Sequence, residues 1–436
     1  MVIKLLLLIA SGVAHVALAQ FPPASEGIKV IKSKFHDGVT ISYKEPGICE
    51  TTPGVKSYAG HVHLPTGYLG SGDGGNQDYP INTFFWFFEA RKDPRNAPLA
   101  IWLNGGPGAS SMVGLLQENG PCFVNGDSET TSLNPWSWNN EVNMLYIDEP
   151  NQVGFSFDTP TNCTVDIAGE SGPKPADFSH QVPRANNTFR VGTFSSQNST
   201  YTADNTLHAG HALWHFAQSF FSEFPHYKPA DDRISLWAES YGGHYGPGFF
   251  DVFQRQNEKI QRGELSDEHA HYLHLDTLGI VNGWIDGVLQ EEAYITFPFN
   301  NTYGLQIFNQ SIYDELMYNF TRPGGCKEQL TACQRKLKEG VPGMRAKHRG
   351  ANAAKICSIE TSCQSPALGV YAQQDGAGFY DIAHPKQDPF PAPHMLGYLT
   401  QESVLSAIGS PVNFTKYSSA VAAAFSRTDD EYDGST

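Results

Sequence analysis

The stretch Ile234-Ser235-Leu236-Trp237-Ala238-Glu239-Ser240-Tyr241-Gly242-Gly243-His244-Tyr245 decides how this chain is read. Ile234 to Trp237 is a short apolar run of the kind that forms a buried strand, and Gly248 to Arg255 continues as helix. Ser240 therefore falls on a strand-to-helix turn. A sharp bend there projects the hydroxyl and lets the following amide face charge developing on a bound group, provided the flanking residues are small. Ala238 and Gly242 meet that need. Serine is a poor nucleophile at neutral pH, so it must be exposed, held and served by a base. A five-residue match alone is as often structural as catalytic; its position behind a strand favours catalysis.

A second stretch, Trp102-Leu103-Asn104-Gly105-Gly106-Pro107-Gly108, ends a second apolar run, Leu99 to Asn104. Its glycines let backbone N–H groups approach a ligand with no Cβ in the way. The N–H groups of Gly106 and Tyr241 are the candidate oxyanion donors, and losing one such donor costs ~2.7–4 kcal/mol in a transition state. A phosphate loop is the rival, since glycine turns after strands also cradle pyrophosphate. It fails in detail. Gly106, Gly108 and Ser111 lack the third glycine, and no P-loop lysine follows.

Asn82 to Ala90 and Met144 to Ile147 read as further strands, Ser111 to Glu118 as a short helix stopped by Asn119-Gly120-Pro121, and Thr202 to Phe221 as a long helix. Leu278 to Val281 is the next strand. Strand and helix alternate, which predicts a largely parallel sheet. From Asp286 onward the texture becomes helical and rich in Tyr and Asn. Cys326, Cys333, Cys357 and Cys363 fall in this part, and their spacing suits nested bridges 326–363 and 333–357, although spacing alone does not fix connectivity. Residues 287–412 read as a cap inserted over a core of residues 20–286, with 413–436 as a tail.

The chain has 436 residues and a formal charge of −16, with 40% hydrophobic and 12% aromatic residues. That supports a large core and excludes a nucleic-acid partner, because no basic stripe exists to neutralise phosphates. Lys4, the apolar run Leu5 to Ala10 and Ala17-Leu18-Ala19 read as a signal peptide over residues 1–19. The run is too short to span ~30 Å of hydrocarbon, so no membrane anchor is expected. Asn162, Asn186, Asn198, Asn300, Asn309, Asn319 and Asn413 each open an Asn-x-Ser/Thr sequon. Seven cysteines suit an oxidising compartment and leave at least one unpaired. The expected destination is outside the cell, or a vacuole or lysosome-like compartment.

Trp102 to Ser111, Asn143 to Phe157, Glu239 to Gly246, Asn282 to Asp286, and Tyr380-Asp381-Ile382 with Asp388-Pro389 together resemble the serine carboxypeptidase family of the α/β-hydrolase fold. The likeness runs from about Lys34 to Asp429. It implies an α/β-hydrolase core with a mostly parallel central sheet and a helical, disulfide-bearing cap. It also implies Ser240 as nucleophile, and Asn104, Gly105, Glu118 and Glu239 as binders of the substrate's C-terminal carboxylate, with Glu118 and Glu239 sharing a proton. Two close carboxyls cannot both ionise cheaply, so one stays protonated and can donate to a carboxylate. Such a site favours acid and loses its grip as pH rises.

The activity implied is removal of C-terminal residues from peptides or proteins through an acyl-enzyme, with no cofactor or metal. On this fold the order is Ser, then Asp, then His, the last two after later strands. No strand carrying such an Asp or His is legible after Ser240, so the chain reads as ending before them, with the C-terminal part of the core missing and activity greatly reduced. His384 and His394 are poor substitutes. His244 follows the bend too closely to serve it and is expected to pack, while His208, His211 and His215 read as a helix face rather than a metal site. A silent peptide-binding relative, or an acyltransferase or esterase on the same scaffold, are the alternatives. Oligomeric state is left open.

Overall fold

The computed structural model describes residues 21–70, 77–166, 172–186, 188–265, 269–339, 363, 366–374, 378–386, 392–428 and 430, with 336–339 as backbone alone. The expected signal peptide and Cys357 lie outside them.

Eight strands form the main sheet: β1 (Lys29–Lys32), β2 (Thr40–Lys44), β3 (Ser57–Leu64), β4 (Ile81–Phe88), β5 (Leu99–Leu103), β8 (Asn143–Ile147), β12 (Ile234–Glu239) and β13 (Leu275–Val281). Two small sheets lie outside it. One pairs β6 (Cys122–Val124) with β7 (Thr131–Leu133); the other orders β10 (Lys174–Pro175), β9 (Thr161–Asp166) and β11 (Phe189–Phe194).

The main order is β1-β2-β3-β4-β8-β5-β12-β13. Pairing is antiparallel from β1 to β8 and parallel from β8 through β5 and β12 to β13. Site residues gather on the parallel half, at the carboxyl ends of β5 and β12.

Strand β4 explains why both faces are covered. Its side chains alternate, so Phe85 and Phe87 join one core while Phe84, Trp86 and Phe88 join another. On the first face lie helices α2 (Thr206–Glu223) and α3 (Gly242–Gln261), which supply Leu213, Phe216, Phe220, Tyr245 and Phe249. The second face receives Leu115 from α1 (Met112–Gln117), then Met395, Leu399 and Leu405 from the helices Met395–Leu399 and Glu402–Ile408. Each fully buried side chain of this size stabilises by ~1.5–3 kcal/mol.

A third cluster stands apart, built from Val288, Ile295, Phe308, Leu316, Phe320 and Leu330. It joins α4 (Gly287–Thr296), α5 (Gln310–Thr321), α6 (Cys326–Glu339) and the helix Pro366–Gln373. The separate packing draws on described residues between Val288 and Tyr371. Residues 395–408, read from sequence as cap, pack against the sheet: Met395, Leu399 and Leu405 share a buried cluster with Trp86 and Trp102. Residues 413–428 are more than a tail. Val421 and Phe425 of the helix Ser419–Ser426 enter the first core.

Cys326 and Cys363 are bridged, as are Cys49 and Cys122, a pair the sequence did not suggest. Cys333 is also disulfide-bonded. Cys163 is the free cysteine among the described residues, and it is buried.

Candidate active site

Ser240 occupies the left-handed region at φ +60°, uncommon for a residue with a Cβ. Backbone bonds hold it there. Its N–H donates to the Val281 carbonyl at 3.0 Å, and its own carbonyl accepts from Gly243 N–H at 2.9 Å and Trp284 N–H at 2.6 Å. The neighbouring strand β13 and the loop after it thereby pin the bend. A Cβ on Gly242 would stand 2.6 Å from the Ala238 Cβ, so the small residues flanking the serine face each other directly. Ser240 itself stays partly exposed.

The glycine loop touches this bend through main-chain atoms. A Cβ on Gly105 would come within 2.3 Å of Tyr241 N and 2.5 Å of the Glu239 carbonyl oxygen, distances no side chain tolerates. Residue 105 must be glycine for the two loops to meet. Asn104 is buried and fixes the loop: its Oδ1 accepts from Trp102 Nε1 at 2.9 Å and Gly114 N–H at 3.0 Å, while its N–H donates to Ser111 Oγ at 3.1 Å. Its Nδ2 reaches Glu239 Oε2 at 3.3 Å.

Glu118, at the end of α1, completes the group by hydrogen-bonding Glu239. Burial first, then the hydrogen bond and charge of Glu239, push the Glu118 carboxyl up to about 9, against the opposing Asn104 hydrogen bond. One carboxyl therefore keeps a proton through neutral pH. Asn104, Gly105, Glu118, Glu239, Ser240 and Tyr241 are gathered in one place, with Gly106 next along the loop.

Two acids that sequence reading missed support the arrangement. Asp148, fully buried beyond β8, accepts from Ser110 Oγ at 2.6 Å, Ser111 N–H at 3.0 Å and Phe155 N–H at 2.9 Å. Burial pushes it up to about 6, even though those hydrogen bonds favour its charge. Asp148 holds the loop's far end. Its signal in the sequence was faint, an acid closing a strand.

Asp430 is buried and accepts from Thr206 N–H at 3.0 Å, Thr206 Oγ1 at 2.5 Å and Tyr241 Oη at 2.8 Å. It ties the first turn of α2 to the residue after the serine. No local pattern announces a contact spanning so much chain. The segment before it also closes over the loop, because Ser418 N–H donates to the Gly108 carbonyl at 2.9 Å and Ser110 N–H donates to the Lys416 carbonyl at 3.0 Å.

No described side chain hydrogen-bonds the Ser240 hydroxyl. His244 lies buried in the first turn of α3, stacked on Tyr241 at 4.8 Å, and neither ring nitrogen has a partner among the described residues. Burial holds it below the ordinary histidine range despite the charge of Asp430. His384 stands 3.9 Å from Asp381, and His394 opens the helix Met395–Leu399. On α2, His208 pairs with Asp204 at 2.5 Å and His215 packs edge-on to Tyr68.

Six sequon asparagines, at 162, 186, 198, 300, 309 and 319, are exposed. Asn413 is a correction to the sequence reading. It is 4% exposed, and its Oδ1 accepts from Thr193 N–H at 2.9 Å, which leaves no room for a glycan.

The family model described as serine carboxypeptidase matches residues 46–172 and 186–435. The chain belongs to the serine carboxypeptidase family. It is similar to carboxypeptidase S1 homolog A of Trichophyton rubrum, 52% identical over 96% of this chain and 64% of the relative. It is also similar to carboxypeptidase S1 of Penicillium janthinellum, 36% identical over 85% of this chain and 70% of that protein. The chain thus spans just under two thirds of the length of the Trichophyton relative. A crystal structure of a prohormone-processing carboxypeptidase from Saccharomyces cerevisiae covers 86% of this chain and 68% of its own, with TM-score 0.53 at 22% identity. That likeness speaks for the α/β-hydrolase fold. Among the described residues no helix is long and apolar enough to cross a membrane.

Proposed function

We propose that the site grips the free C-terminal carboxylate of a peptide and that Ser240 attacks the last peptide bond, releasing one amino acid and leaving an acyl-enzyme that water resolves. The observation that carries this reading is the backbone contact of Gly105 with Tyr241, beside two carboxyls that hold a proton. In this reading the Gly106 and Tyr241 amides serve as the oxyanion donors, and the contact supports it by holding the glycine loop against the bend. The protonated Glu118–Glu239 pair, with the Asn104 amide, then donates to the substrate carboxylate, an interaction that two ionised carboxylates would forbid. The six exposed sequons suit passage through the secretory route, to the exterior or a vacuole.

The grip is full in acid and falls as pH climbs through the titration of the pair, toward about 9. An N-blocked dipeptide, compared with its C-terminal amide, tests this by binding and by amino-acid release between pH 5 and pH 9. Preference for the free acid is expected in acid and should fade at high pH. Glu118→Gln, which keeps an amide donor but cannot ionise, is expected to flatten that pH dependence, and Ser240→Ala to end release. Equal handling of acid and amide at every pH would overturn the reading.

One observation favours a second reading, a silent peptide binder: among the described residues nothing hydrogen-bonds the Ser240 hydroxyl to activate it. Fluorophosphonate labelling separates the two. Labelling lost in Ser240→Ala supports the enzyme, and peptide binding without labelling supports the binder.

A further inference from the structure

A second hollow opens beside Pro150, between the start of β4 and the first turns of α2, with a volume of about 290 Å³. That lies just below the ~300–1,000 Å³ of pockets for drug-sized ligands, which suits one small molecule and not a peptide. None of Asn104, Gly105, Glu118, Glu239 or Ser240 lines it. It is a separate site.

Its lining is divided by chemistry. Leu69, Tyr79, Ile81 and Ala212 form an apolar wall, while Asp204, His208 and Arg427 bring both signs of charge to the same space. Burial works against the Asp204 charge, but the hydrogen bond and charge of His208, and more weakly Arg427, hold it below the ordinary carboxylate range. Arg427 is anchored through Nη1 to Ser199 Oγ at 2.8 Å and through Nη2 to the Ser199 carbonyl at 2.7 Å. A guanidinium has five N–H donors, so part of its fork stays available. Asp204 accepts through Oδ1 from His208 Nδ1 at 2.5 Å, a neighbour in the same lining, and from Asn205 Nδ2 at 2.9 Å.

Among the described residues no ion pair closes between Asp204 and Arg427, although they line one cavity. Arg427, fixed by Ser199, and the Asp204 carboxylate, fixed by His208 and Asn205 through one oxygen, present a dipole to whatever enters. A simple anion would meet Arg427 but also Asp204, and a simple cation the reverse. A small molecule carrying both charges satisfies both ends. The apolar wall then adds contact for a hydrocarbon side chain.

We propose that this hollow binds a free α-amino acid with an apolar side chain, its carboxylate toward Arg427 and its ammonium toward Asp204. This is the class of molecule the proposed reaction would release, but the argument stands on the charges of the cavity and not on that reaction.

Calorimetric titration of the full chain with L-leucine, L-leucinamide and N-acetyl-L-leucine tests it. Leucine is expected to bind saturably at one site, and the two blocked forms, each missing one charge, at least tenfold more weakly. Arg427→Gln, an exposed substitution, is expected to weaken leucine at least tenfold, while Glu118→Gln leaves it unchanged. Absence of saturable leucine binding, equal binding of N-acetyl-leucine, or indifference to Arg427→Gln would each overturn the proposal. So would loss of leucine binding in Glu118→Gln, which would assign the ligand to the Ser240 site. Failure of the carboxypeptidase reading appears elsewhere, as equal handling of peptide acids and amides.

Discussion

At position 240 the backbone holds a conformation that costs a residue bearing a Cβ about 1–2 kcal/mol, and the hydrogen bonds from Gly243 and Trp284 supply the restraint. Strain of this kind is separable from hydroxyl chemistry. Ser240→Gly and Ser240→Ala both remove the oxygen, but only glycine relaxes at positive φ. The glycine variant is expected to be about 1 kcal/mol more stable than the alanine variant, read from urea unfolding midpoints. Equal midpoints would mean the bend is unstrained. The sequence made the serine legible because a hydroxyl between small residues behind a strand has few uses. It left Asp148 almost silent, since one buried acid looks like any turn residue until its three donors are seen.

Among the elements, legibility followed periodicity. The strand and helix readings around β5, α1, β8, α2, β12 and β13 coincide with observed elements, because apolar runs and helical spacing mark them locally. The strands β1 to β3 were not read; in β3 the apolar pattern is interrupted by Gly60, His61 and His63. They supply the antiparallel half of the sheet.

Helix α2 shows what local signals cannot carry. Its start was read at Thr202, four residues early, and its first turn is held by Asn205 from nearby and Asp430 from far away. Asp430→Ala is expected to cost about 1–3 kcal/mol, since it leaves Thr206 N–H and Tyr241 Oη buried without their acceptor. Chemical denaturation measures the loss, and a change within error would reduce that carboxylate to a bystander.

For the whole molecule, the Cys49–Cys122 bridge closes a span of 73 residues that includes β3, β4, β5 and α1. Cross-linking so long a loop stabilises by about 4 kcal/mol in the chain-entropy account. The double variant Cys49→Ser, Cys122→Ser is therefore expected to lose most of that amount, seen as a lower denaturant midpoint, with a steeper slope as the released chain expands on unfolding. The sequence could count the cysteines but could not pair this one, because partners on opposite sides of three strands share no local spacing. The helical cluster that starts at Val288 has its own apolar interior and its own bridge among the described residues.

Where Gly105 meets Tyr241, the two loops touch through main-chain atoms, so drift in the side chains around them can alter what the cleft beside Ser240 admits while the meeting of the loops is inherited intact.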